Sequence, residues 1–227
     1  MLIIFDLDDT LIDTSGSITP FALENALGAM VASGLRVSNF TEALEQLKRI
    51  NRTAVSSKAA LQEFIEIQDG NADHLEIGKE KLCNQLACDL PVFPIEGALE
   101  LLIELAQDHE LALVTQGKTP IQMEKLKKAG IDSALFSNII VSEDGNKKIH
   151  YKKLVEGDRY LSHEVLVCGD RIPIDLAPAK DLGFKTVHMR WGRGLNSQGR
   201  KGDVDYPISS LTELKDIISH LMTFSAF

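Results

Sequence analysis

The stretch Leu2-Ile3-Ile4-Phe5-Asp6-Leu7-Asp8-Asp9-Thr10-Leu11 decides the fold. A short continuous apolar run that stops abruptly at an acidic cluster has the pattern of a strand buried on both faces, as in a parallel sheet covered by helices. Runs of the same kind recur at Leu111-Ala112-Leu113-Val114, Val165-Leu166-Val167-Cys168 and Lys185-Thr186-Val187-His188, with a shorter one at Ile139-Ile140-Val141. Each follows a helical pattern and a turn, and strands alternating with helices predict an α/β fold with one parallel sheet.

The intervening helices are marked by period and caps. Ile95, Ala98, Leu99, Leu102, Leu105 and Ala106 keep one apolar face ahead of the second strand. Thr119-Pro120-Ile121-Gln122 has the form of a capping box with Pro at the first helical position, and Gly130 would close that helix. Ser210-Leu211-Thr212-Glu213 is a second capping box, ahead of Leu214, Ile217, Ile218 and Leu221.

Residues 14–92 break the alternation. They contain no strand-like run, and four stripes have helical spacing: Leu23, Ala26, Leu27, Met30 and Val31; Phe40, Ala43, Leu44 and Leu47; Leu61, Phe64 and Ile65; Leu82, Cys83, Leu86, Ala87 and Leu90. A helical bundle inserted after the first strand is expected, with core residues 1–13 and 93–227 on either side of it. Asp13 to Thr19 would lead into it and Pro91-Val92-Phe93-Pro94 out of it.

The 227 residues suit one domain with a sizeable insertion at a prior of roughly 150 per domain. With 44% hydrophobic and 25% charged residues, the composition argues against disorder and fibrous repeats. The balance of 24 basic against 33 acidic residues, a net charge of −9, disfavours a nucleic-acid partner. The opening apolar run meets Asp6 too soon for a signal peptide, and no stretch approaches the ~18 apolar residues of a membrane span. Three cysteines without a CxxC pair point to a reducing, cytoplasmic setting, with Cys83, Cys88 and Cys168 as small buried hydrophobes. A monomer or homodimer is expected. The six histidines lack metal-ligand spacing and read as surface or core residues, and the basic cluster from Arg190 to Lys201 reads as a solvated loop.

Function-bearing residues collect where strands end: Asp6, Asp8 and Asp9 after the first, Thr115 at the end of the second, Gly169 and Asp170 after the fourth, with Asp175 five residues on. In an open parallel sheet these ends share one edge, so residues distant in sequence converge. Carboxylates brought together repel one another, and a bound divalent cation is the usual resolution.

These residues resemble the motifs of the haloacid dehalogenase superfamily. Asp6-Leu7-Asp8-Asp9-Thr10 resembles its DxDxT motif, Thr115-Gln116-Gly117 the second, Lys147 or Lys148 the third, and Gly169-Asp170-Arg171-Ile172-Pro173-Ile174-Asp175 the fourth, GDxxxxD. Lys152 and Lys153 compete for the third position, since the usual Lys-Pro is absent. The resemblance covers nearly the whole chain. It implies a Rossmann-like core with an inserted helical cap of the phosphoglycolate phosphatase-like branch.

It also implies roles. Asp6 would be the nucleophile, splitting phosphoryl transfer into two steps through an aspartyl-phosphate. Asp8 would protonate the leaving oxygen and then activate water. Mg²⁺ would be held by Asp6, the Asp8 backbone carbonyl and Asp170, with Asp175 as a further ligand or support. Thr115, Gln116 and Lys147 or Lys148 would bind phosphate oxygens. Members that remove halogen or cleave phosphonoacetaldehyde lack a carboxylate two positions after the nucleophile; Asp8 supplies one here, so hydrolysis of a small phosphorylated metabolite is expected. The alternatives are a phosphomutase, a catalytically idle binding protein, and a phospho-acceptor regulatory domain, which would be about half this length.

Overall fold

The computed structural model describes residues 1–83, 90–157 and 159–224, apart from the side chains of Cys83 and Phe224. In chain order, strand β1 (Leu2–Phe5) precedes helices α1 (Thr19–Ala32), α2 (Phe40–Thr53), α3 (Ser57–Ile67) and α4 (Ala72–Cys83). Then come α5 (Ala98–Asp108), β2 (Glu110–Gln116), α6 (Thr119–Lys128), β3 (Asn138–Ser142), α7 (Lys147–Leu154) and β4 (Val165–Gly169). The short α8 (Ala177–Lys180), β5 (Lys185–Met189), β6 (Tyr206–Ile208) and α9 (Leu214–Phe224) complete the chain.

The six strands form one sheet in the order β3-β2-β1-β4-β5-β6, with every neighbouring pair parallel. All five strands expected from the apolar runs are present, and the chain has a Rossmann-like α/β core. Ile3 stands opposite Leu111 on one side and Leu166 on the other, so β1 is central and all four of its residues are buried. Strand β6 was not expected. It is only three residues long with Pro207 in the middle, a composition tolerated at a sheet edge, where one side of the strand needs no ladder donor.

The chain divides into two compact units, residues 1–14 with 92–227, and residues 15–91. The second unit is α1 to α4 around its own core, to which Leu27, Met30, Leu47, Leu61 and Phe64 contribute. Local chemistry starts two of its helices: Asn39 accepts the Glu42 amide at 3.1 Å and Ser56 accepts the Ala59 amide at 3.1 Å. Gly78 of α4 lets α1 approach, since a Cβ there would lie 2.8 Å from the Met30 sulfur. Phe40, placed in an apolar stripe by its spacing, is exposed at the start of α2. The fourth expected stripe continues past α4 through Leu86 and Ala87, which, like Cys88, lie outside the described residues.

Two expected caps have different outcomes. Glu213 reaches back to the amides of Ser209 and Ser210, 2.8 Å each, so the capping box ahead of α9 is present. Thr119 instead begins α6 with its hydroxyl and amide on Glu143, 3.0 and 3.2 Å, and Gln122 turns inward. Gly130, at φ 71°, ends that helix as expected, letting the Ile131 amide reach back to the Leu126 carbonyl at 3.2 Å.

Candidate active site

Five segments bring polar side chains to the carboxyl ends of β1, β2 and β4. The first is the turn after β1. The Asp6 amide continues the ladder onto the Cys168 carbonyl at 2.9 Å, and the Leu11 and Ile12 amides fold back onto the Leu7 carbonyl at 2.9 and 3.1 Å. Asp9 takes a left-handed conformation, φ 56°, which Asp tolerates better than most residues. This tight loop sends Asp6 inward and leaves Asp8 28% exposed at its rim.

The second segment follows β4. Gly169 has no room for a side chain, because a Cβ there would lie 2.6 Å from the Asp175 Cβ. The loop closes with the Asp175 amide on the Arg171 carbonyl, 2.7 Å, and the Arg171 amide on Asp175 Oδ2, 2.8 Å. Carboxylate oxygens of Asp6, Asp170 and Asp175 come within 4.8 Å of one another, and all three residues are buried. The His188 Nε2 holds the Asp170 backbone carbonyl at 3.0 Å.

The third segment is the first turn of α7. Its helix begins at Lys147, and the two candidate lysines project in different directions. Lys147, 1% exposed, places Nζ 2.6 Å from Asp6 Oδ1 and 2.6 Å from Asp175 Oδ1. Lys148 pairs with Asp181 at the surface, both near 38–39% exposed, and Lys152 and Lys153 are exposed. Of the two candidate lysines, Lys147 stands beside the carboxylates and Lys148 lies in a surface ion pair.

The fourth and fifth segments are the end of β2 and the helix after it. Thr115 is buried, and its hydroxyl accepts from Gln122 Nε2 at 2.6 Å. Gln116, also expected at the phosphate, is exposed with its amide lying over Gly145. From α6, Gln122 Nε2 also donates to Asp8 Oδ2 at 2.8 Å, and Lys125 Nζ donates to Asp8 Oδ1 at 2.7 Å. Thr14 Oγ1 donates to the same Asp8 oxygen. The sequence reading missed Gln122 and Lys125 as site residues. Their signal was a pair of polar residues at i and i+3 on the helix directly following Thr115, a spacing that puts both on one face.

The electrostatics follow from this placement. Desolvation pushes the Asp6 carboxyl up to about 7 in spite of Lys147, and the charges of Asp175 and Asp8 add to the rise. Asp170 is raised well above the carboxylate range by desolvation and then by Asp175 and Asp6. Burial alone would lower Lys147, but Asp175 and Asp6 hold it well above its ordinary value. Desolvation opposes ionisation of Asp8 too, yet the Lys125 charge with hydrogen bonds from Lys125, Thr14 and Gln122 holds it below its usual value. The three buried carboxylates share one lysine, the charge of Arg171 also acts on Asp170, and an all-oxygen donor set of this kind could hold Mg²⁺. Both Asp175 oxygens are occupied, by Lys147 and the Arg171 amide, whereas Asp6 turns one oxygen to Lys147. The Asp8 carboxylate is paired with Lys125.

The basic stretch from Arg190 to Lys201 is pinned to this unit rather than free. Trp191 Nε1 donates to Asp13 at 2.9 Å, Ser197 Oγ accepts the Ile172 amide at 2.8 Å, and Arg200 pairs with Asp181 and Asp203, each at 2.9 Å.

The chain is similar to known proteins along most of its length. Residues 3–189 match the family described as haloacid dehalogenase-like hydrolase. A glyceraldehyde 3-phosphate phosphatase of Methanocaldococcus jannaschii is 31% identical over 96% of this chain and 97% of its own. The protein of that name from Pyrococcus abyssi is 30% identical over 85% of this chain and 82% of its own. Among solved structures, a predicted phosphoglycolate phosphatase from Haemophilus somnus superposes with a TM-score of 0.74 at 20% identity, covering 96% of this chain and 97% of that one. A magnesium-bound HAD-hydrolase from Bacillus subtilis gives 0.68 at 22%, covering 96% and 98%. At these identities the structural matches speak for the fold.

Proposed function

The chain belongs to the haloacid dehalogenase-like hydrolases, and on that basis we propose that it is a Mg²⁺-dependent phosphoric monoester hydrolase acting through an aspartyl-phosphate on Asp6. The observation that carries this reading is the juxtaposition at one strand end of Asp6, its lysine partner at 2.6 Å and Asp8 two residues on. Lys147 favours the ionised, nucleophilic form of Asp6 against its desolvation. The Asp6 oxygen attacks phosphorus as the bond to the leaving oxygen breaks, and Asp8 relays to that oxygen the proton that the substrate brings as a phosphate monoanion. In the second half Asp8 takes a proton from water as that water attacks the aspartyl-phosphate. The ionised Asp8 held by Lys125 is the form that this hydrolytic half requires. Thr115, with Gln122 occupying its acceptor side, is left to donate its own hydrogen to a non-bridging phosphate oxygen.

The residues present fit a Mg²⁺ ion: Asp6, Asp170 and the Asp8 backbone carbonyl would hold it, with Asp175 supporting. When bound, it would offset the charge shared by nucleophile and phosphoryl group. Residues 14–92 are taken as a cap that contributes to substrate choice. The relatives named for glyceraldehyde 3-phosphate make a small phosphorylated metabolite of triose-phosphate size the first substrate to try. Such a substrate goes with a cytoplasmic enzyme, and no described helix is long and apolar enough to cross a membrane.

The test is turnover of an aryl phosphate and of a panel including glyceraldehyde 3-phosphate and phosphoglycolate, with and without Mg²⁺. Mg²⁺-dependent release of phosphate that disappears in Asp6→Asn is the expected result. A folded wild-type protein silent across the panel, or an Asp6→Asn protein at full rate, overturns the reading.

A further inference from the structure

The face of α6 that meets Asp8 and Thr115 carries two side chains that touch no reacting atom in the scheme above. Gln122 is 2% exposed and Lys125 6%, unusual burial for an amide and an ammonium in a ten-residue helix. Buried polar groups that are not paired cost stability, so what each pairs with is informative. Lys125 spends its charge on Asp8 Oδ1 at 2.7 Å. Gln122 divides its two amide hydrogens between Asp8 Oδ2 at 2.8 Å and Thr115 Oγ1 at 2.6 Å. The opposite orientation of that amide would set its oxygen against the Asp8 carboxylate, which repulsion excludes.

We propose that Lys125 and Gln122 are positioning residues that set Asp8 and Thr115 as one unit. Lys125 fixes one edge of the Asp8 carboxylate, and Gln122 ties the other edge to the hydroxyl expected to donate to phosphate. Two groups on separate segments, the turn after β1 and the end of β2, are thereby held in mutual register by a third element. Because Gln122 fills the acceptor side of Thr115, the threonine hydrogen points away from α6 and is available to a ligand. A purely structural ion pair would need neither the shared amide nor a partner at the rim of the site.

The inference rests on the acid–base role of Asp8, and the experiment separates the two. Steady-state kinetics are measured with the best substrate of the panel for Lys125→Met, Lys125→Gln, Lys125→Arg and Gln122→Leu, alone and combined with Asp8→Asn or Thr115→Ala. Lys125→Met is expected to lower kcat about 10- to 100-fold with KM little changed, the usual scale for losing an orienting partner. Lys125→Arg restores most of it. In the Asp8→Asn background Lys125→Met has no further effect, since it acts through that carboxylate. Gln122→Leu weakens inhibition by inorganic phosphate, and its loss does not add to that of Thr115→Ala.

Unchanged kcat in Lys125→Met, or losses that multiply with Asp8→Asn, overturn the proposal and leave the acid–base reading standing. Full turnover in Asp8→Asn overturns that reading and this one with it. Should Lys125→Met fail to fold, Lys125→Gln keeps a donor at the position and the same double-variant comparison decides.

Discussion

Lys147 and Asp6 form a buried ion pair, Nζ to Oδ1 2.6 Å, and the same ammonium lies 2.6 Å from Asp175 Oδ1. One side chain from the start of α7 thus bridges the segments after β1 and β4, which are 141 and 28 residues away in sequence. A cation placed so deeply is tied to its two anions in both stability and chemistry. Without it the desolvated carboxylates would face one another.

Lys147→Met is therefore expected to destabilise the protein by about 3–5 kcal/mol, the cost of stranding a buried partner, and to abolish turnover. Lys148→Met removes a surface pair with Asp181 and should cost less than about 1 kcal/mol with turnover retained. Urea unfolding and phosphate release on the two variants check this, and equal effects would show that the site lysine has been misassigned.

The pH dependence of the metal-free protein follows from Asp6. Its folded-state value, about 7, lies above the ordinary 3.8 because burial opposes its charge. The folded state then binds the proton more tightly than the unfolded state, so this contribution is present below pH 3.8 and lost as pH rises through about 7. Asp170, raised for the same reason, acts in the same sense. His109 and His188, pushed down by burial, act in the opposite sense. The quantity to measure is accordingly the difference in Tm between wild type and Asp6→Asn in a chelator, from pH 4 to 8. Asp6→Asn should gain relative to wild type as the pH rises, and a flat difference would contradict the burial argument.

Much of this was legible because it depends on chain-local patterns. The apolar runs ending at Asp6 and Gly169 announce strands buried on both faces, and parallel pairing then carries Asp6, Thr115 and Asp170 to one edge. What stayed hidden depends on which way a side chain turns. Gln122 fits a capping box by spacing, but Glu143, 24 residues from Thr119, takes the cap and releases Gln122 inward. Lys147 and Lys148 are adjacent, and only the start of α7 decides which is buried. The stretch from Arg190 looks solvated by composition, yet its anchors, Asp13, Ile172 and Asp181, come from distant segments.

Mg²⁺ should stabilise the protein, because a ligand bound only by the folded state adds RT ln(1 + [L]/Kd), about 2.7 kcal/mol at a hundredfold excess over Kd. The gain should be larger at pH 8 than at pH 5, where the raised carboxyls of Asp6 and Asp170 hold protons that compete with the ion. Asp170→Asn should lose most of it. Thermal melts across a Mg²⁺ titration read this directly, and an undiminished shift in Asp170→Asn would place the ion elsewhere.

Gly194 offers a test of how the anchored basic loop supports the carboxylates. A Cβ at this position would lie 2.4 Å from the Met189 backbone carbonyl, 3.1 Å from the Asp170 Cβ and 3.2 Å from the Asp170 carbonyl. The nearest of these is backbone at the end of β5, which cannot swing aside as a side chain would. Gly194→Ala must therefore lift the loop or push Asp170, and overpacking of this kind costs about 1–3 kcal/mol. If the loop lifts, the Arg193 amide leaves Asp9, which it now approaches at 3.5 Å, and Asp170 stays in place. If Asp170 moves, its contact with His188 is disturbed and Mg²⁺ stabilisation weakens with it. Because Met189 is fully buried and its strand is paired on both sides, the displacement should fall on the loop and on Asp170 rather than on β5. The expected outcome is a lower Tm with a reduced Mg²⁺-dependent shift. Gly202→Ala, where a Cβ meets nothing within 4 Å but φ is 93°, is the matched control: it should lower Tm through backbone strain while leaving the Mg²⁺ shift intact. Equal Mg²⁺ shifts in wild type and Gly194→Ala would show that the loop packs on Asp170 without supporting it.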